Sequence, residues 1–384
     1  MTPDTPAFHR PTVVFGAPAL ALGAGRRTDE ELLGRHPAYG NDTLRRKLGA
    51  ATRFVADADD DSFSMLRRAV ATLDERLSVE GGGDTADGGS GGGGDPFARL
   101  GMVVAATSSV ALACPSLACR ALGELVAARP GRDAALTDVQ AHDVLAACAG
   151  WLYAMQAAFD HLTANPGQTA LVGTAESITR LMDPDDLVTN ALFSDAASAT
   201  PVAMAGPGLP APPFRPVFAM EHRPWLGALG DRDLLLTAPA DGRPDFVKMD
   251  GRAMRRHSSP SMARALARAC AAAGVPGGVA GLHLVVPHQI SAQVLDDLDA
   301  ALAAPGDAHP PVRRPVFRNL AVTGNTACSC LPICLSDLTG AVRPGHDATV
   351  IAPDDGELPA AGWLLGLTAF GGGFAFGAAV VRVL

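Results

Sequence analysis

Cys148 is the first residue of the chain whose type and position suggest covalent chemistry. It stands between a short apolar segment at 143–147, predicted as a strand, and a predicted helix at 151–162. A cysteine at a helix start lies at the positive end of the helix dipole, which favours the nucleophilic thiolate over the thiol. Small flanking residues leave room for a carbonyl group to approach the sulfur. Cys148 is therefore a candidate nucleophile, although an inert buried cysteine fits the same local pattern.

His288 and Asn325 are candidates for polarising a carbonyl group. His288 follows an apolar segment at 282–286, predicted as a strand, and Asn325 follows a second predicted strand at 316–322. A neutral imidazole can donate a hydrogen bond to a developing oxyanion or transfer a proton. A carboxamide can donate beside an anion without titrating. Structural roles, a buried hydrogen-bonded histidine and a turn asparagine, fit the two positions as well.

A glycine run at 371–373 interrupts the nearly uncharged C-terminal segment 358–384. Two buried strands joined by a glycine turn explain this segment better than a membrane span. Glycines free the backbone to present N–H groups, so one of them could form half of an oxyanion hole. The lysine of a phosphate-binding loop is missing, and a plain tight turn is the alternative.

The cysteines do not indicate a metal site or a disulfide framework. Three of the seven, Cys328, Cys330 and Cys334, cluster in sequence. A structural zinc site takes four ligands in paired spacings, so no metal is predicted. The odd number of cysteines and the length of 384 residues do not suit a secreted disulfide-rich domain. The first residues lack the pattern of a signal peptide, and a cytoplasmic location is expected.

Composition limits the functional class further. Hydrophobic residues make up 48% and charged residues 18%, which is typical of a globular protein. The net charge of −9 argues against general nucleic-acid binding, because that requires a basic face. No membrane association is expected either.

Strand-like and helix-like segments alternate along the chain, which predicts an α/β fold. Helices are predicted at 63–77 and 261–273, the second closed by Gly274. We expect two halves, an N-terminal half at 1–205 that carries the cysteine and a C-terminal half at 206–384 that carries the histidine, the asparagine and the glycine run. A glycine-rich insertion at 81–95 is predicted to be a flexible surface loop.

Taken together and in order, these segments resemble the β-ketoacyl-acyl-carrier-protein synthase III family. The string AACAGWLYAMQAA around Cys148 resembles its cysteine motif, VVPHQIS around His288 its histidine motif, and TGNTACS around Asn325 its asparagine motif. The ending AFGGGFAFGAAVVRV is also similar. The resemblance implies the thiolase fold, five layers in the order αβαβα built from two pseudo-duplicated halves, and a homodimer.

The resemblance also implies a reaction. Cys148 would take an acyl group from a thioester, with the backbone N–H groups of Cys148 and Gly372 as the oxyanion hole. A malonyl thioester would then lose CO₂, and His288 and Asn325 would hold its enolate while it attacks the acyl group. No cofactor is implied, since the substrates carry coenzyme A or phosphopantetheine. The expected partners are an acyl-coenzyme A or acyl-carrier protein and a malonyl thioester.

Several departures from the family pattern point to a polyketide or specialised fatty-acyl pathway. Lys47 stands where relatives that bind coenzyme A have an arginine, and Ser291 where they have an asparagine. Cys114 replaces a larger residue that lines the partner subunit's acyl pocket, and Arg252 and Arg256 belong to a basic cluster that would meet a phosphopantetheine donor. These five are the predicted substrate-binding residues.

Two other functions remain open from the sequence. The first is an acyltransferase of the same fold that moves the acyl group from Cys148 to an oxygen, nitrogen or sulfur acceptor without condensation. The second is a non-catalytic partner subunit, whose expected feature would be loss of the cysteine.

Overall fold

The computed structural model describes residues 11–81, 95–110, 112–131, 136–230, 249–303, 316–340 and 358–384. The strands in these ranges are β1 Thr12–Phe15, β2 Ala19–Leu22, β3 Gly25–Arg27, β4 Arg53–Val55, β5 Leu100–Ala106, β6 Gln140–Val144, β7 Thr169–Glu176, β8 Ala196–Ala205, β9 Phe218–Met220, β10 Trp225–Ala228, β11 Leu284–Pro287, β12 Leu364–Gly371 and β13 Ala375–Val383. The α-helices are α1 Asp29–Arg35, α2 Asp42–Leu48, α3 Ser62–Gly81, α4 Leu117–Ala127, α5 Gly150–Ala164, α6 Leu187–Leu192, α7 Gly251–Ala272, α8 Ala292–Ala303, α9 Leu320–Thr323 and α10 Cys330–Leu338.

Most of the described strands join one mixed sheet. Its order is β11-β12-β13-β9-β1-β8-β7-β5-β6, with β10 paired to β13 and β2 paired to β8. The pairs β5–β6, β5–β7 and β11–β12 are parallel, and the others in this sheet are antiparallel. The short antiparallel pair between β1 and β9 connects the strands of the first half to those of the second.

Neighbouring residues on these strands face different apolar cores, because side chains alternate across a sheet. In β7, Leu171 packs in a core with α3 and α4, whereas Val172 packs in a core with α5 and α10. In β11, Val285 packs with α7 and α8, whereas Val286 packs in the same central core as Val172. The layers therefore run helices, sheet, helices, sheet, helices, which confirms the predicted five-layered αβαβα fold.

The two halves share a backbone turn at corresponding places. Ala147 and Ala327 both have a positive φ, 44° and 47°, which is uncommon for residues other than glycine. Each opens a short 3₁₀ segment that runs directly into a central helix, α5 in one half and α10 in the other. The second residue of each 3₁₀ segment is a cysteine, Cys148 or Cys328. This repetition agrees with the predicted pseudo-duplicated halves.

Several element predictions are confirmed. The helix predicted at 63–77 is α3, and the C-terminal segment forms the antiparallel pair β12–β13 joined at the glycine run. Most of the insertion predicted at 81–95, residues 82–94, lies outside the described residues. No helix among the described residues is long and apolar enough to cross a membrane. The division of the chain at residues 205 and 206 stays a prediction.

Two element predictions need correction. The strand predicted at 316–322 is wrong, since only Val316 pairs, with Val285, before the chain turns into α9. The helix predicted to begin at residue 261 begins ten residues earlier, because Asp250 caps it and Pro260 is accommodated inside it. The Asp250 carboxylate accepts hydrogen bonds from two backbone N–H groups of the first turn, which fixes the start of the helix ahead of Pro260.

Candidate active site

Cys148 lies in the 3₁₀ turn Ala147–Ala149, directly before α5. The strand before it, β6, ends at Val144, three residues earlier than predicted. Cys148 is only partly buried, whereas the turn around it is held closely. A Cβ atom on Gly150 would lie 2.8 Å from the Cβ of Ala106, so glycine is needed where α5 approaches the end of β5. The turn therefore fixes the cysteine at the N-terminal end of a buried 15-residue helix.

His288 follows β11 directly, as predicted, and is fully buried. Its backbone N–H donates to the carbonyl oxygen of Thr368 at 2.7 Å, which continues the pairing of β11 with β12. Burial alone would lower the pKa of the imidazole, but negative charge on the neighbouring sulfurs of Cys148 and Cys330 raises it to about 10. The structure thus brings the predicted nucleophile and the predicted histidine together.

Asn325 enters the site through Gly324, whose φ of 65° turns the chain after α9. A Cβ atom at Gly324 would lie 2.3 Å from the Ser194 hydroxyl, so this position requires glycine for space as well. The Asn325 amide oxygen accepts the backbone N–H of Ala327 at 3.0 Å, and its nitrogen donates to the Ile290 carbonyl at 3.4 Å. These contacts orient the amide at the carbonyl of Ile290, two residues after His288. Among the described residues, they leave one of the two amide hydrogens available for a ligand.

The glycine run passes directly over the cysteine turn. A Cβ atom on Gly371 would lie 2.7 Å from the backbone nitrogen of Cys148 and 2.9 Å from the Cβ of Ala147. Gly372 follows at the start of the next turn, and Gly373 has a φ of 112° that side-chain-bearing residues rarely adopt. The backbone predicted to provide the oxyanion hole is therefore adjacent to the nucleophile.

The predicted substrate-binding residues have different environments. Lys47 is exposed on the last turn of α2, which packs closely on the start of α8. Ser291 caps α8, because its hydroxyl accepts the backbone N–H of Val294 at 3.3 Å. This cap gives the serine a structural role three residues after His288.

The basic cluster lies on α7, next to the glycine run. Arg252 is exposed in the first turn, and the guanidinium of Arg256 donates to the His257 ring at 3.1 Å. The His257 ring packs on Phe374, the residue after the glycine run, with centroids 5.3 Å apart. Cys114 lies exposed on the loop between β5 and α4.

Three buried groups beside the site were not predicted from the sequence. Cys330 interacts with the His288 ring, and Cys328 interacts with Glu176. Burial raises the pKa of Glu176, whose carboxylate accepts hydrogen bonds from the backbone N–H of Ser108 and the hydroxyl of Ser109. The cysteine cluster after Asn325 is the signal in the sequence that could have located them. Within the described residues, no group of three or more His, Cys, Asp and Glu side chains is arranged to hold a metal.

Sequence comparisons identify the family. The sequence pattern of 3-oxoacyl-[acyl-carrier-protein (ACP)] synthase III matches residues 142–208, which include the cysteine turn. A relative from Streptomyces coelicolor, named β-ketoacyl-[acyl-carrier-protein] synthase III 2, is 30% identical over 280 residues, which are 73% of this chain and 72% of the relative. The chain belongs to the β-ketoacyl-acyl-carrier-protein synthase III family. This is a family of acyltransferases.

Solved structures of synthase III enzymes and their relatives share the fold. The synthase III of Aquifex aeolicus VF5 superposes with a TM-score of 0.72 at 23% identity, over 96% of this chain and 99% of that one. The priming β-ketosynthase of the R1128 polyketide biosynthetic pathway gives a TM-score of 0.71 at 21% identity, over 99% of both chains. The chain thus has the thiolase fold of its family.

Proposed function

We propose that this synthase III homologue is a decarboxylative condensing enzyme that joins an acyl group, held on Cys148, to a malonyl thioester. The observation that carries the proposal is the convergence of four elements from both halves. The Cys148 turn lies under the glycine backbone at Gly371, and its sulfur interacts with the buried His288. The Asn325 amide is held at the carbonyl of Ile290, two residues after His288. A nucleophile, two hydrogen-bond donors and backbone N–H groups are what such a reaction requires.

The first half-reaction loads the enzyme. The Cys148 sulfur attacks the acyl thioester, a carbon–sulfur bond forms, and the donor thiol leaves and takes a proton from the His288 imidazolium. The raised pKa of His288 supports this role, because the ring is protonated at neutral pH while thiolate charge lies beside it. The N–H groups of Cys148 and Gly372 would hold the oxyanion, and the close passage of Gly371 over Cys148 supports that placement.

The second half-reaction makes the new carbon–carbon bond. The malonyl thioester loses CO₂, and its electrons form an enolate whose oxygen accepts hydrogen bonds from His288 and Asn325. The enolate carbon attacks the acyl carbonyl, and Cys148 leaves as a thiolate. A proton from solvent then restores the His288 imidazolium beside that thiolate. The amide of Asn325 supports this step because it stabilises the enolate oxygen without being able to protonate its carbon.

The acyl donor and the pathway are proposed from the departures around the site. Ion pairs neutralise much of the charge on α8, since Arg255 binds Asp297 at 2.6 Å and Arg318 binds Asp296 and Asp299. This surface therefore offers little net positive charge to an acidic carrier protein, which favours a donor gripped through its phosphopantetheine arm by Arg252, Arg256 and Lys47.

We further propose a polyketide or specialised fatty-acyl pathway and a homodimer. The fold likeness to a priming ketosynthase supports the pathway. In the homodimer, the exposed Cys114 of one subunit would face the acyl pocket of the other, where a small side chain leaves space for a long or branched acyl chain.

The test begins with intact-mass measurement. The protein is incubated with a panel of acyl-coenzyme A and acyl-carrier thioesters, and Cys148→Ala is the matched control. An adduct that the variant lacks supports acyl transfer to Cys148. Malonyl thioester is then added, and release of CO₂ with a β-keto product supports condensation. Transfer of the acyl group to another acceptor without CO₂ would instead favour the simple acyltransferase, and no adduct with any donor would refute both.

A further inference from the structure

His288 is surrounded by sulfur where a buried imidazole usually meets oxygen or nitrogen. Among the described residues, neither ring nitrogen has a hydrogen-bond partner in bonding geometry, sulfur included, although the side chain is fully buried. The titratable groups that face the ring are Cys148 from the cysteine turn and Cys330 from α10. From β12 the neighbour is the carbonyl group of Thr368, which carries no charge. A buried polar ring is costly unless something holds it, so the two sulfurs matter.

The Cys330 sulfur is itself held by a buried chain of polar groups. It accepts the backbone N–H of Gln289, the residue after His288, at 3.1 Å. Cys334, one turn along α10, interacts with Cys330 and donates to the amide oxygen of Asn319 at 3.5 Å. Asn319 in turn donates to the buried Asp337 carboxylate at 2.8 Å.

The Gln289 side chain fastens the same unit from the other side. Its amide nitrogen donates to the carbonyl groups of Pro287 and Phe317, both at 2.9 Å, and its oxygen accepts the backbone N–H of Asn319 at 3.1 Å. Every member of this chain is buried, so each hydrogen bond acts in a medium of low dielectric constant. The arrangement fixes the Cys330 sulfur relative to the strand end that carries His288.

We propose that Cys330 is a positioning residue for His288, and that the buried chain through Cys334 and Asn319 holds its sulfur against the imidazole. This inference rests on the proposed function, since it assigns a role in that reaction. Burial alone would raise the pKa of the Cys330 thiol, but the hydrogen bond from Cys334 and the imidazolium of His288 lower it. The sulfur therefore faces the ring as a partly or fully charged group.

The role of Cys330 is greatest in the second half-reaction. Once Cys148 is acylated, its sulfur carries no charge and no longer holds the ring. Cys330 is then the remaining sulfur that faces His288, at the stage when the ring must donate to the enolate oxygen. A thiol that never touches the substrate would thus set the orientation and the protonation of the group that does.

The experiment compares Cys330→Ala and Cys330→Ser with a matched control, Cys270→Ala. Cys270 is also fully buried, but it packs in the core formed with α7 and α8. Each protein is labelled with ¹³C at histidine Cε1, and the His288 signal, assigned by its loss in His288→Asn, is titrated by NMR. The same proteins are assayed for β-keto product, with kcat and KM determined separately.

In the wild type and in Cys270→Ala, we expect the His288 signal to titrate near pH 10, where thiolate charge places its pKa. Loss of one of the two sulfurs should move the midpoint down by about one pH unit or more in Cys330→Ala. We expect kcat to fall by about 10- to 100-fold with KM nearly unchanged, because the ring is misplaced after the substrate has bound. Cys330→Ser, which keeps a polar atom at the position, should recover part of kcat.

An unmoved midpoint together with an unchanged kcat in folded Cys330→Ala would overturn the proposal. If that variant does not fold, Cys330→Ser decides, and a midpoint equal to that of the wild type overturns it. The NMR titration requires no substrate. If the wild type neither accepts acyl groups nor releases CO₂, the proposed function fails, while the titration still decides whether Cys330 controls His288.

Discussion

Substitution of Gly371 by alanine tests whether the glycine backbone holds the cysteine turn in place. The added Cβ would lie 2.7 Å from the backbone nitrogen of Cys148, about 0.7 Å short of ordinary van der Waals contact at 3.4 Å. It would also meet the Cβ of Ala147 at 2.9 Å and the carbonyl oxygen of Ala146 at 3.0 Å. All three atoms are close to or part of the backbone, so no flexible side chain can move aside.

The turn or the strand end must therefore shift by several tenths of an ångström. A displacement of about 1 Å at a reacting group costs roughly 100-fold in rate. That factor corresponds to about 2.7 kcal/mol of transition-state stabilisation. The φ of Gly371 is −130°, which alanine adopts easily, so backbone strain does not contribute. Overpacking should also lower the free energy of unfolding by about 1–3 kcal/mol.

Gly366→Ala on the same strand is the matched control. Its Cβ would meet the side-chain ends of Leu282 and Leu266, at 2.5 and 2.7 Å, far from the cysteine turn. We expect it to lower stability to a similar extent and to leave the rate of Cys148 acylation, followed by intact mass, within about 3-fold of the wild type. Equal acylation rates in Gly371→Ala and Gly366→Ala would refute the reasoning, because the glycine strand would then not constrain the nucleophile.

Three further predictions concern single side chains. Asn325→Asp should reduce the rate of CO₂ release by about 10²- to 10³-fold, because a carboxylate repels the enolate. Cys148 should still be acylated in the mass assay. An unchanged rate of CO₂ release would exclude Asn325 from the reaction. Burial raises the folded-state pKa of Glu176 above its unfolded value, so its contribution to stability is complete at low pH and is lost as the pH rises through the folded-state pKa. Glu176→Gln should accordingly raise Tm more at pH 8 than at pH 5 in thermal scans, and the opposite order would contradict the assignment. Arg53 is fully buried and donates hydrogen bonds to Tyr39 and Asp29. Arg53→Met should lower the free energy of unfolding by about 3–5 kcal/mol, measured by urea unfolding. A loss below about 1 kcal/mol would show that the former partners of Arg53 are rehydrated.

Much of the candidate site could be predicted because its residues lie in short sequence motifs. His288 follows a strand of apolar residues, so its placement at a strand end could be predicted from the pattern alone. The position of Cys148 at a helix start could be predicted only by assuming that a helix begins directly after the turn. The positive φ of Ala147, which allows that turn, has no signal in the residue type, since alanine rarely adopts this conformation.

The errors have physical causes that the sequence conceals. The segment around Val316 has strand-like residues, but the buried Asn319 donates from its side-chain amide to Asp337 and from its backbone N–H to Gln289. These tertiary hydrogen bonds bend the chain into α9. Pro260 marks a break in most helices, yet α7 continues through it because its neighbours on the buried face pack against the second sheet layer. Local propensity was overruled in both cases by contacts distant in sequence.

The repeated turn in the two halves has a consequence for reactivity. Cys148 and Cys328 occupy the same place in the same backbone geometry, so any difference between their thiols arises from their surroundings. Cys328 donates to the carbonyl group of Ala106 and lies beside Glu176, and burial together with that acid raises its pKa well above the ordinary value. Cys328 is therefore an unreactive internal control for Cys148. An alkylating reagent should modify Cys148 and spare Cys328, although both thiols stand in the same type of backbone turn.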